Sequence, residues 1–81
     1  MKAIVGKRYR HYKGNEYTVL AIARHEDSPE KVSVVYRAEY DSPDFGFGCV
    51  WIRVIESFEG KVIGTDGTEA ERFTCIDDMV I

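Results

Sequence analysis

The sequence predicts an all-β domain: a small five- or six-stranded, partly open SH3-like barrel with at most one short helical turn. Apolar and polar residues alternate along several short segments, and turn-forming residues separate these segments. Helical periodicity is almost absent, which favours strands throughout. Because a chain of 81 residues lacks enough strands for a two-sheet sandwich, a barrel is the favoured architecture, with an OB-like barrel as the alternative.

Length and composition indicate one folded domain over residues 1–81. Its core is expected over about residues 7–76, followed by a tail, 77–81, that frays. The chain is 44% hydrophobic and 31% charged, which excludes global disorder.

The charge is unevenly distributed along the chain. Residues 1–40 carry eight Lys or Arg against five Asp or Glu, or +3, whereas residues 41–81 carry three against nine, or −6. The sum of −3 disfavours a general polyanion binder. The N-terminal half could still present a basic face, unless the two halves neutralise each other across strand pairs.

The longest run of strand-forming residues, Glu16–His25, is predicted to be the central, bent strand. At a period of two, both of its faces are apolar: Tyr17, Val19, Ala21 and Ala23 on one, and Thr18, Leu20 and Ile22 on the other. A strand buried on both sides usually lies in a sheet that curls over on itself. The preceding segment, Lys7–Lys13, forms a hairpin with it through the Gly14-Asn15 turn.

The next strand, Val32–Tyr40, alternates most clearly and is expected to face the core with Val32, Val34, Tyr36, Ala38 and Tyr40. The loop Glu26–Lys31 connects it to the central strand. After it, the segment 41–48 reads as a loop that holds Phe45 and Phe47 between glycines. The two rings either fold back as a lid on the core, which is favoured, or project as a tip.

The C-terminal half is predicted to contain shorter strands. Cys49–Val54 would turn Val50, Ile52 and Val54 to the core and Trp51 and Arg53 to the opposite face. One helical turn follows, with Phe58 inward. Asp66-Gly67 marks a hairpin, and a short strand around Cys75 and Ile76 ends the domain.

Two clusters are candidates for binding. Arg8–Lys13 interleaves cations and aromatics, as in single-strand nucleic-acid binding, or is an edge strand whose cations prevent aggregation. Trp51 and Arg53 would lie on the face away from the core, where an indole marks either a binding surface or a second small core.

The spacing of the histidines and cysteines predicts neither a metal site nor a nucleophilic active site. His11, His25, Cys49 and Cys75 are possible ligands, but no two of them lie two to four residues apart, as zinc knuckles require. We therefore expect no metal site, no cofactor and no catalytic residues. A small Cys/His enzyme remains the alternative to a non-enzymatic protein.

The N-terminus and hydropathy predict a cytoplasmic protein. Met1–Lys7 lacks the apolar region of a signal peptide, and no stretch approaches the ~18 apolar residues of a membrane span. In the cytoplasm, Cys49 and Cys75 are expected to stay reduced, and no membrane partner is expected.

The chain resembles a family of small bacterial proteins classed as a domain of unknown function. The resemblance covers about Lys7 to Phe73 and rests on the following residues: Tyr9-Arg-His-Tyr-Lys-Gly14, Tyr17, Val19-Leu20, Ala23-Arg-His25, Val34-Val-Tyr-Arg37, Tyr40, Trp51-Ile-Arg53, Phe58 and Arg72-Phe73. The sequence departs from the family pattern at Val54, where Pro is usual, at Ser57, where Met is common, and in a longer 41–48 loop. The resemblance implies a bacterial, cytosolic, stand-alone β domain and implies no activity.

The functional hypothesis is a non-enzymatic binding module. Its ligand would be planar or anionic: a nucleotide, a short single-stranded RNA or a carboxylate-bearing peptide. The recurring polar and aromatic positions of the resemblance supply the candidate site: His11, Tyr12, His25, Tyr36, Trp51 and Arg53. The alternative is a protein-interaction or assembly domain that docks through the Phe45/Phe47 loop or a strand edge. A monomer is the favoured oligomeric state.

Overall fold

The computed structural model describes residues 3–77, which form a five-stranded antiparallel sheet, two small hairpins and one short helix. The elements in chain order are β1 Arg8–His11, β2 Glu16–His25, β3 Ser28–Ala38, β4 Asp41–Ser42, β5 Gly46–Phe47, β6 Val50–Val54, α1 Ile55–Phe58, β7 Lys61–Ile63, β8 Glu69–Glu71 and β9 Phe73–Cys75.

The strand order of the main sheet is β6-β3-β2-β1-β9, while β4 pairs with β5 and β7 pairs with β8. The predictions of an all-β fold and of a single helical turn are therefore confirmed. The main sheet does not close into a barrel, however, and β6 and β9 are its two edges. The chain that joins these edges forms α1 and the β7–β8 hairpin.

A β-bulge bends the β2–β3 hairpin. Val19 pairs with Tyr36 and Ala21 pairs with Val35, so Leu20 is an extra residue on β2. The bulge shifts the alternation by one: Val19 and Ile22 contact the core, whereas Ala21 shares the outer face with Val35. The expectation that Val19 and Ala21 share a face was wrong, since alternation in the sequence carries no sign of an inserted residue.

Aromatic rings form the core on the inner face of the sheet. The ring of Phe58 stacks on that of Phe73, with centroids 4.1 Å apart and planes 7° apart, and it meets Tyr9 and Tyr36 edge to face. The buried Tyr36 confirms the predicted inward face of β3. The predicted inward position of Phe58 in α1 is also confirmed.

The predicted orientation of β6 is wrong. Tyr36 pairs with Trp51, so Trp51 and Arg53 lie on the inner face, while Val50, Ile52 and Val54 are exposed on the outer face. Register with β3 decides the orientation, because directly opposed residues point to the same side of a sheet.

The segment 41–48 is a small hairpin that does not cover the core as a lid. Phe47 is largely exposed, and Phe45 is also exposed but sets its ring edge to face against Trp51, with centroids 5.2 Å apart. The side-chain oxygen of Ser42 accepts a hydrogen bond from the Phe45 amide at 3.0 Å, which tightens the turn.

The turn predicted at Asp66-Gly67 is present and connects β7 with β8. Asp66 Oδ1 accepts hydrogen bonds from the amide and hydroxyl of Thr68 at 3.0 and 2.7 Å, and Gly67 adopts a φ of 83° that only glycine tolerates well. The carboxylate of Asp77 accepts a hydrogen bond from the Arg8 amide at 3.0 Å. The rest of the tail predicted to fray, 78–81, lies outside the described residues.

Replacing Phe58 with alanine should destabilise the domain. The buried ring contacts three other aromatic rings, so Phe58→Ala is expected to lower the free energy of unfolding by about 3–5 kcal/mol. Urea denaturation followed by circular dichroism measures this change. Phe47→Ala removes an exposed ring and is the matched control, with an expected change below ~0.5 kcal/mol. Equal losses in the two variants would contradict the assigned core.

Candidate functional site

A cleft with a volume of about 200 Å³ opens on the inner face of the sheet beside β6. It forms because strands distant in the chain present side chains to the same face: β1 pairs with β9 through His11 and Phe73, and β3 pairs with β6 through Tyr36 and Trp51. The lining residues are His11, Tyr17, Tyr36, Tyr40, Trp51, Arg53 and Phe73.

Arg53 supplies the fixed positive charge of the cleft. Its Nε donates to the hydroxyl of Tyr36 at 3.2 Å, and its Nη1 donates to Ser57 Oγ at 3.0 Å. The guanidinium carbon lies 5.8 Å from the ring centre of Phe73. Among the ion pairs of residues 3–77 none involves Arg53, and none of the lining residues is acidic. The arginine is therefore held in place by neutral groups alone.

Two tyrosine hydroxyls form a second polar group of the cleft. The hydroxyls of Tyr17 and Tyr40 are 2.8 Å apart, so one donates to the other. One O–H remains available to a ligand. Burial, and then the hydrogen bond with Tyr40, raises the pKa of Tyr17, which therefore stays neutral at physiological pH.

His11 faces the cleft as a neutral hydrogen-bond donor. Its Nδ1 accepts the backbone N–H of Lys13 at 3.2 Å, which assigns the proton of the neutral ring to Nε2. Burial lowers the pKa of His11, and the positive charges of Arg53, Arg72 and Lys13 lower it further. The ring is therefore neutral at pH 7.

Four of the six residues predicted for the site line the cleft: His11, Tyr36, Trp51 and Arg53. Tyr12 packs against the ring of His11, with centroids 4.6 Å apart, and lines a separate depression of about 220 Å³ with Arg10 and Thr74. His25 hydrogen bonds through Nε2 to Ser33 Oγ at 3.1 Å. Because Ser33 alternates with the inward Val34 and Tyr36, His25 lies on the opposite face of the sheet.

Sequence reasoning missed Tyr17, Tyr40 and Phe73 as lining residues. Tyr17 was recognisable in principle, because it pairs with Ala38 on the inward face of β3 across the β2–β3 hairpin. Tyr40 continues the same inward alternation. Phe73 carried no such local signal, since it reaches the cleft through the long-range pairing of β9 with β1.

Residues 3–77 contain no group of three or more His, Cys, Asp or Glu side chains placed to hold a metal ion. Cys49 and Cys75 are free thiols, and neither lines the cleft. No helix in this part of the chain has the length and apolar character needed to cross a bilayer.

Burial should lower the pKa of His11 in the folded protein. In a His25→Gln variant, which leaves one imidazole to observe, NMR titration of the ring C2–H should give a midpoint below the ~6.5 of a free histidine, because burial and three cations disfavour the charged ring. The same variant unfolded in urea is the reference. A midpoint in the folded protein at or above that reference would contradict the geometry.

This shift also predicts how stability depends on pH. The unfolded chain binds the His11 proton more readily than the folded chain, so the free energy of unfolding should fall as the pH drops below ~6.5, until the lower folded pKa is passed. Thermal unfolding between pH 8 and pH 5 measures the effect. A His11→Gln variant should lose less stability than wild type over that range, and an identical loss would contradict the linkage.

Comparison with known proteins identifies the family. A family model described as "Protein of unknown function (DUF1653)" matches residues 7–75. A crystal structure of a protein belonging to this family from Bordetella bronchiseptica is 26% identical, covers 100% of this chain and 97% of its own, and superposes with a TM-score of 0.76. A search of curated proteins gives no match. Since the family model spans every strand of the main sheet, the chain belongs to the DUF1653 family of proteins of unknown function.

Proposed function

We propose that this protein is a non-enzymatic binding module whose cleft takes a small ligand with a planar ring and an anionic group. A nucleotide, the end of a short single-stranded RNA and a carboxylate-bearing peptide all have this chemistry. The observation that carries the proposal is the arginine of the cleft: Arg53 is oriented by Tyr36 and Ser57 and forms no ion pair within residues 3–77.

The polar groups of the cleft are suited to an anion because they offer hydrogen-bond donors. Arg53 uses Nε and one hydrogen of Nη1, so the other hydrogen of Nη1 and both hydrogens of Nη2 are not used by these bonds. His11 offers Nε2–H, and the Tyr17–Tyr40 pair offers one O–H. Carboxylate and phosphate oxygens accept several such bonds at once, and an arginine fork binds them in a bidentate manner.

The aromatic walls and the volume of the cleft indicate the size of the ligand. Trp51 and Phe73 both line the cleft, and the half-buried indole of Trp51 is the ring against which a planar group can pack. The ring of Phe73 is already stacked on Phe58. A cleft of about 200 Å³ is smaller than the ~300–1,000 Å³ of a drug-sized site. It suits one ring with its anionic substituent, so a longer RNA would place only a terminal unit inside it. The net charge of −3 also disfavours binding along an extended polyanion.

The lining residues support binding without catalysis. They include no serine, threonine or cysteine that could act as a nucleophile beside His11. The two free thiols suit the reducing bacterial cytoplasm, where we propose that the protein acts.

Protein docking through the β4–β5 hairpin is the second candidate function. Phe45 and Phe47 are both exposed near the tip of this hairpin. Gly46 and Gly48 adopt positive φ values of 74° and 77°, so backbone geometry turns the chain on either side of Phe47. Exposed aromatic rings on a tight turn are typical of contact sites. A Phe47→Ala variant that captures the same partners as wild type in a pull-down would contradict this candidate.

An NMR titration tests the binding module. The ¹⁵N-labelled protein is titrated with pooled mononucleotides, short single-stranded RNAs and peptides with free carboxylates. We expect shifts confined to the Trp51 indole N–H, the Arg53 Nε–H and the amides around His11. Arg53→Lys keeps the charge and loses the planar fork, so it should weaken binding about tenfold or more.

Matched variants separate loss of the site from loss of the fold. Arg24→Lys alters an exposed arginine that bonds to the Pro29 carbonyl, and it should bind like wild type. Trp51→Ala should abolish binding, while Trp51→Phe should retain part of it. A dispersed amide spectrum confirms folding of each variant. Unchanged affinity in folded Arg53→Lys and Trp51→Ala, or no shifts with any pool, would refute the proposal.

A further inference from the structure

One edge of the main sheet is open along β6. The Ala38 amide donates to the Cys49 carbonyl at 2.8 Å, and the same register pairs Tyr36 with Trp51. In an antiparallel ladder, main-chain groups of alternate residues point to the same neighbour. The N–H and C=O groups of Val50 and Ile52 therefore point away from β3. The Val50 carbonyl accepts a long hydrogen bond from the neighbouring Cys49 Sγ at 3.9 Å.

The outer face of this edge is apolar. Val50, Ile52 and Val54 have exposed fractions of 54%, 62% and 36%. Natural sheet edges are usually protected by lysine, proline, a bulge or a covering element. The sequence of β6, Val-Trp-Ile-Arg-Val, contains neither lysine nor proline, and its register with β3 is regular. Its one charged residue, Arg53, points to the inner face, where Tyr36 and Ser57 hold the guanidinium. Such an edge is a template for another strand.

We propose that β6 pairs antiparallel with β6 of a second copy of this chain, about a two-fold axis through Ile52. Two five-stranded sheets would then become one continuous ten-stranded sheet. The inference requires no ligand in the cleft, because the pairing would be made by the main chain and the outer face of β6.

The sequence of β6 is complementary to itself in this register. Val50 lies opposite the partner's Val54, Ile52 lies opposite the partner's Ile52, and Trp51 lies opposite the partner's Arg53. The two arginines therefore do not oppose each other, and each can place its cation beside an indole ring. Isologous contacts of this kind close after two subunits. A second β6 strand would therefore pair with the open main-chain groups, cover the apolar outer face and place an indole opposite each arginine. This threefold match favours a second copy of the chain over an unrelated strand.

The short edge limits the affinity. A five-residue strand spans about 17 Å, so the contact buries less than the ~800 Å² per partner of a stable interface. We therefore expect a reversible dimer with a dissociation constant on the order of 100 µM. The monomer expected from the sequence then holds only at low concentration.

Sedimentation equilibrium between about 10 µM and 1 mM tests the dimer. Wild type should shift from monomer to dimer across this range. Ile52→Lys places two like charges on the axis and should weaken association at least tenfold. Ile63→Lys is the matched control, because Ile63 is 67% exposed on the separate β7–β8 hairpin, and it should associate like wild type. Ile52→Thr, which keeps a strand-forming residue, replaces Ile52→Lys if the latter lacks a dispersed amide spectrum.

An isotope-filtered NOE tests the register. The sample is a mixture of labelled and unlabelled chains at about 1 mM. In the proposed register, Trp51 and the partner's Arg53 form a non-hydrogen-bonded pair with Cα atoms about 4.5 Å apart. A cross-peak between their Hα protons is therefore expected. A monomer throughout the range, a dimer unaffected by substitution at Ile52, or a dimer without this cross-peak would each overturn the proposal. If the protein is a monomer, a strand of another protein becomes the candidate partner of the β6 edge.

Discussion

The stacking of Phe58 on Phe73, with ring centroids 4.1 Å apart, joins the helical turn α1 and the last strand β9 into one core. Tyr9 and Tyr36 pack edge to face around Phe58, so three strands and the helix share a single aromatic cluster. The cluster lies on the inner face of a sheet whose edge strands, β6 and β9, do not pair with each other. The cleft lies on the same inner face, and Tyr36 and Phe73 of the cluster form part of its lining.

One short strand carries both proposed activities of the protein. β6 turns Trp51 and Arg53 to the cleft and Val50, Ile52 and Val54 to the outer face. The side chains that would hold a ligand are therefore separate from those that would line a dimer contact on the outer face. Partner pairing would nevertheless place a second indole beside each Arg53, at the margin of the cleft. A ligand that alters the Arg53 geometry would then act on self-association through the same residue.

Some features of the site could be predicted from local patterns. Alternation along β3 indicated that Tyr36 faces inward, and the Asp66-Gly67 turn indicated the β7–β8 hairpin. Trp51 and Arg53 were recognisable as a pair on one face because they are two residues apart. Which face that was could not be predicted, since a five-residue strand with apolar residues on both sides fits either orientation. The bulge at Leu20 was hidden for a similar reason: β2 is apolar on both faces, so a shift of one residue leaves its pattern plausible.

The sequence by itself determined the all-β class, the approximate positions of the main strands, the inward Phe58 and the family. Each depends on residues close together in the chain, whose spacing acts through the two-residue repeat of a strand or the geometry of a turn. Only the tertiary structure decided that the sheet is open, that Trp51 and Arg53 face inward, and that His11 joins the cleft while His25 lies on the other face. These outcomes depend on the pairing of β6 with β3, of β9 with β1, and of β2 with β3. Such pairing is selected by packing across the whole domain, because one slip of register reverses every side chain of a strand.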